Sequence, residues 1–136
     1  RAEIGYYPIR PTAAGRTIVR REYKGRRHLV LGFVATLPAA AQARLAEAID
    51  ERYAAFRGAG AEVIIFGGGA SPATPYPTLD DADGRLHARY GAGATPLLVV
   101  ADRYGEVVLR RTLAGIPADL AEALALVEWL QMRCSL

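Results

Sequence analysis

Two short apolar runs, HLVLGFVA (28–35) and AEVIIFGGG (61–69), bracket a stretch with a different rhythm. Each run is nearly continuous in hydrophobicity, which suits a strand covered on both faces. Between them Leu45, Ile49, Tyr53 and Phe56 recur at three- and four-residue steps. That spacing makes one apolar stripe on a helix from about Pro38 to Arg57. Pro38 falls in the first turn, where a missing N–H costs nothing, and Gly58 and Gly60 stop the helix. Strand, helix and strand in this order form a βαβ unit. The two strands are therefore predicted to be parallel neighbours joined by a right-handed crossover.

The remaining segments extend this unit. GRTIVRREYKG (15–25) alternates apolar and charged residues and reads as a half-buried peripheral strand. A Gly- and Pro-rich loop occupies 67–77, and TLDDADGRLHARYG supplies a short helix over about 82–90. Residues 97–101 and 106–113 form a hairpin turning through Asp102 to Gly105. A last helix runs from about Pro117 to Arg133, with Leu120, Leu124, Val127 and Leu130 as its stripe and Trp129 close by. The expected architecture is α/β: a three-layer sandwich whose central mixed sheet has a parallel βαβ half and an antiparallel hairpin half, with helices on both faces. At 136 residues, with no internal repeat and no long linker, one domain spans 1–136. Residues 1–25 are its N-terminal strand region and 26–136 its core.

Composition excludes several function classes. No apolar run approaches the roughly 20 residues that span a bilayer, so no membrane association is expected. Seventeen Lys and Arg against fourteen Asp and Glu give a net charge of +3, with Lys24 as the sole lysine. Arginines come in pairs, Arg20–Arg21, Arg26–Arg27 and Arg110–Arg111. No aromatic platform is interleaved with them, so guarded strand edges are a better reading than nucleic-acid binding. Cys134 is the sole cysteine. An intramolecular disulfide and a dithiol cycle within one chain are both ruled out, and nothing argues for an oxidising compartment. No signal peptide is visible, and the chain is expected in the cytoplasm. It begins at Arg1 rather than Met, which leaves a removed leader open.

Four segments carry a family likeness: EYKGRRHLVLGFVAT, FRGAGAEVIIFGGG, YPTLDDADGRLHARYG and TPLLVVADRYGEVV, together covering about residues 20–113. In order and spacing the chain resembles the thioredoxin fold, and more closely its peroxiredoxin-like branch, the alkyl hydroperoxide reductase and thiol-specific antioxidant family. The resemblance implies an antioxidant oxidoreductase with a reactive cysteine where the strand at 28–35 enters the following helix. Peroxiredoxins carry Pro-x-x-x-Thr-x-x-Cys there. Anchored on Thr36, the proline position is Gly32 and the cysteine position is Ala39. Against the Cys-x-x-Cys of thioredoxin-like disulfide reductases, the two cysteine positions are Pro38 and Ala41. Neither alignment leaves a thiol, and thiolate is the nucleophile in both chemistries.

The resemblance also places Thr95–Pro96 opposite this turn and implies a cis peptide at Pro96. Thr36 is expected to cap the helix. The remnant site is thus Thr36, Pro38, Ala39, Ala41, Thr95 and Pro96, with Cys134 as a possible thiol elsewhere. Cys134 continues the stripe of Val127 and Leu130 toward the core, where cysteines are usually inert. His28 and His87 are too isolated to suggest a metal site. DDADG (80–84) fails the register of a calcium loop and better supplies a helix cap from Asp80 or Asp81. GGGASP (67–72) has Pro72 where a phosphate loop needs its third glycine. No cofactor is expected. The expected function is a non-catalytic binding or regulatory role, through self-association or a protein partner, using helix N–H groups and an open backbone edge. The alternative is a thiol-dependent peroxide or disulfide reductase acting through Cys134 or a partner's thiol.

Overall fold

Five strands form one mixed sheet in a computed structural model that describes residues 26–67, 74–81 and 83–135. In chain order the elements are β1 (His28–Phe33), α1 (Ala39–Gly58), β2 (Ala61–Gly67), β3 (Thr78–Asp80), α2 (Arg85–Arg89), β4 (Leu97–Ala101), β5 (Val107–Thr112) and α3 (Ile116–Ser135). The sheet order is β3-β2-β1-β4-β5. The expected strand at 15–25 lies outside the described residues, as do most of GGGASP and the side chain of Cys134.

β1 is the central strand and pairs parallel with β2, from His28↔Ala61 to Phe33↔Phe66. On its other side it pairs antiparallel with β4, from Phe33↔Leu97 to Leu29↔Ala101. β4 and β5 form the expected hairpin, with a register irregularity at Val100/Ala101. All six β1 residues are buried, and the alternation of the strand divides them between two cores. Val30 joins Leu45, Ile49, Phe56, Leu120 and Val127 under α1 and α3. Leu29, Leu31 and Phe33 join Ile64, Phe66, Tyr90 and Val99 on the α2 face. Phe33 organises that second core: its ring stacks on Phe66 and Tyr90 at 4.9 Å each and meets the edge of His87 at 5.2 Å.

Some boundaries differ from the expected ones. β1 stops at Phe33 rather than residue 35, because the N–H of Ala35 leaves the ladder for a side chain. β3, three residues pairing parallel with β2 at Ile65↔Thr78, replaces the end of the expected loop. α2 is shorter than expected and follows Gly84, whose φ of 70° suits a residue without Cβ. The N-cap is Gly84 rather than the expected Asp80 or Asp81, yet Asp81 accepts the first-turn N–H groups of Leu86 and His87 from outside the helix. Arg110 Nη2 donates to the carbonyl of Tyr90 at 2.5 Å, holding the end of α2 against β5. In α3 the buried face is Leu120, Ala123, Val127 and Leu130, so Ala123 takes the central place expected for Leu124. Trp129 is half exposed.

Candidate functional site

The C-terminal end of β1 delivers the chain into a closed turn. Val34 N–H donates to Phe66 O and Leu37 N–H to Val34 O. The Gln42 side-chain amide reaches back from α1 to Val34 O (3.1 Å) and Leu37 O (3.0 Å). One side chain therefore satisfies both carbonyls that bound the turn. Pro38 is the helix N-cap, with extended ψ and no side-chain cap bond. Thr36 consequently does not cap the helix, contrary to expectation. The helix begins three residues later, and Pro38 O accepts the first helical bond, from Gln42 N–H. The N–H groups of Ala39, Ala40 and Ala41 precede that bond and have no helical acceptor. No acidic residue occupies the first turn. Thr36, Pro38, Ala39 and Ala40 are exposed, Leu37 is half-buried, and Ala41 packs into the core.

The register Phe33↔Leu97 brings the segment before β4 to the same end of the sheet. Gly93, Ala94 and Thr95 are exposed there and Pro96 is half-buried. The peptide at Pro96 is trans; no cis bond occurs among the described residues. This corrects the cis expectation. Trans is the lower-energy form by about 0.5–1 kcal/mol for X–Pro. In that form Pro96 O accepts the N–H of Leu113 at 3.1 Å, so the trans loop is tied into the end of the hairpin. Segments 35–41 and 93–96 contain no charged residue.

A buried polar relay that sequence reasoning missed lies behind the turn. His87 Nδ1 is 2.7 Å from Asp81 Oδ2, and Ala35 N–H donates to His87 Nε2 at 3.2 Å. An acceptor at Nε2 requires the proton on Nδ1, so the ring is neutral and donates to the carboxylate. Both side chains are nearly inaccessible to solvent. Burial pushes the Asp81 carboxyl upward. The hydrogen bonds from the His87 ring and from the His87 and Leu86 N–H groups outweigh that and hold it below the usual carboxylate range. Asp81 lies just before α2 and His87 within it, but Ala35 is far away in sequence, so no local motif could have revealed the three-part contact.

The other singled-out residues sit elsewhere. His28 is fully buried at the opposite end of β1, accepting Arg103 N–H at Nδ1 (3.1 Å) and facing Gln131 Oε1 from Nε2 (3.2 Å). Cys134 follows Gln131 by one turn of α3, so its backbone lies at the His28 end of the sheet, away from the Thr36 turn. Among the described residues no group of three or more His, Cys, Asp or Glu could hold a metal ion. No helix among them is long and apolar enough to cross a membrane. The described turn thus offers backbone N–H groups, one threonine hydroxyl and small apolar side chains.

No protein-family model and no curated protein matches the chain. Solved structures do. The fold is similar to that of Xanthomonas campestris peroxiredoxin Q, with a TM-score of 0.80 at 14% identity, covering 92% of each chain. It is similar to a reduced 2-Cys peroxiredoxin of Plasmodium vivax, with a TM-score of 0.78 at 13% identity, covering 98% of this chain and 97% of that one. A thioredoxin lipoprotein of Streptococcus pneumoniae aligns with a TM-score of 0.68 at 19% identity over 89% and 98% of the two chains. The class is therefore a thioredoxin-like α/β fold whose structural neighbours include peroxiredoxins. At these identities the likeness is one of fold.

Proposed function

We propose that this chain is a peroxiredoxin-like protein without a thiol at the join before α1, and that it binds a protein partner through the Thr36–Ala41 turn and the neighbouring Thr95–Pro96 segment. The observation that carries the reading is the turn itself. It occupies the join that precedes α1, is exposed from Thr36 to Ala40 except for half-buried Leu37, bears no charge and no sulfur, and is closed from within by Gln42. A surface that keeps its shape without its reactive group is suited to docking, where preorganisation limits the entropy lost on binding. Thiol chemistry through Cys134 gains little support from its place at the far end of the sheet. A peroxide-consumption assay with thiol reductant, run on the wild type and on Cys134→Ser, tests the reading. No turnover above buffer is expected from either protein. Turnover abolished by the substitution would replace this reading with a Cys134-dependent reductase, and turnover that survives it would mean a different chemistry altogether.

A further inference from the structure

We propose that His87 is a proton-operated latch on the turn after β1, so that the docking face proposed above is held at neutral pH and released in acid. The inference rests on that docking reading for its biological sense, but its physical content concerns this chain alone. At neutral pH the ring is fixed by opposite roles at its two nitrogens: Nδ1–H donates to Asp81 Oδ2 at 2.7 Å, and Nε2 accepts Ala35 N–H at 3.2 Å. A second proton can enter only at Nε2. It turns the acceptor into a donor, and two N–H groups then face each other where a hydrogen bond stood.

The strain falls on one side of the ring. The Asp81 side strengthens, because the neutral donor becomes a charge-assisted one and Asp81 supplies the counter-charge a buried imidazolium needs. Asp81 is itself held by the N–H groups of Leu86 (3.2 Å) and His87 (2.8 Å). The ring therefore stays with α2 while Ala35 must leave. The Gln42 amide and the Leu37-to-Val34 bond persist without His87, so the rearrangement falls on the Ala35 peptide within the turn. Asp81 is the charged group in contact with the ring. Among the described residues, Asp80, Asp83, Arg85 and Arg89 on the neighbouring stretch and on α2 are exposed, β1 presents the Phe33 ring, and the turn after it presents the Ala35 N–H.

The test is an NMR titration of the whole chain between about pH 7.5 and 4.5, with His28→Gln as the control that assigns the two imidazoles. The Ala35 amide and the His87 ring are expected to titrate with one shared midpoint, and protection of Ala35 from hydrogen exchange to fall by about tenfold. His87→Gln should abolish the step at Ala35, and Asp81→Asn should lower the shared midpoint by removing the counter-charge. A ring that titrates while Ala35 stays unmoved overturns the proposal. So does a ring that stays neutral throughout, a step that survives His87→Gln, or a midpoint that Asp81→Asn leaves in place. The wild-type titration decides the matter even if a variant fails to fold. No partner enters the measurement, so a failure of the latch is distinguishable from a failure of docking.

Discussion

His28 Nε2 lies 3.2 Å from Gln131 Oε1, tying the first residue of the central strand to the last turns of α3. The same ring accepts Arg103 N–H through Nδ1, so it bridges β1, α3 and the β4–β5 turn in its neutral form.

Acid should therefore weaken the fold in two separate ranges. Burial lowers the His28 pKa from 6.5; the Gln131 hydrogen bond opposes this and the Arg103 charge adds to it. Above 6.5 the imidazole is neutral folded and unfolded, and pH has no effect through it. Below 6.5 the unfolded chain takes up a proton that the folded chain refuses, so stability falls until the depressed folded value is reached. Asp81, also depressed when folded, contributes above its unfolded pKa, and that contribution is lost further into acid. Urea midpoints measured across pH should show both declines, and His28→Gln should flatten the one nearer neutrality. His28→Ala should cost about 1–3 kcal/mol by removing two part-buried hydrogen bonds, those to Arg103 N–H and to the Gln131 side chain.

Glu62 serves a stretch of the β2 edge that has no strand partner among the described residues. β3 covers β2 only from Ile65 onward, and the buried Glu62 carboxylate takes Val63 N–H (3.0 Å), Tyr53 OH (2.8 Å) and Arg57 Nη1 (2.8 Å). Glu62→Ala should lose about 1–3 kcal/mol by urea denaturation, and Tyr53→Phe about 1 kcal/mol. The double variant should cost less than the sum of the two, because both remove the same contact.

Phe33→Ala should destabilise by about 3–5 kcal/mol, since its ring is inaccessible and touches Phe66, Tyr90 and His87. Thermal or chaotrope unfolding measures the loss. A cost under about 1 kcal/mol would mean that the second core is far looser than its stacking suggests.

Ala39→Cys should give a thiol that titrates below the ordinary value of about 8.5, because the residue sits at the start of a twenty-residue helix among N–H groups without helical acceptors. Thiolate absorbance against pH measures it in the Cys134→Ser background. A value at or above the ordinary one would show that the turn lacks the electrostatic field expected of it.

The sequence carried what is periodic. The α1 stripe, the two buried runs and the 97–113 hairpin each follow from local spacing, and the parallel β1–β2 pair and the β4–β5 hairpin are observed as expected. It could not carry β3, because three residues show no alternation to recognise. Nor could it carry the His87–Ala35 contact, where donor and acceptor meet only after the βαβ unit and α2 have packed. The cis expectation at Pro96 came from the resemblance alone. The trans bond instead follows the local preference of the peptide and the tie to Leu113.

The place of β1 in the sheet also sets an order of events. One edge of this strand is satisfied by β2 soon after the intervening helix is made. The other stays bare until residues 97–101 are available. A nascent or slowly refolding chain thus passes through a stage with a strand that is apolar from Leu29 to Phe33 open along one side. Such an edge is a template for the wrong neighbour, so aggregation during refolding should depend on how quickly the hairpin arrives.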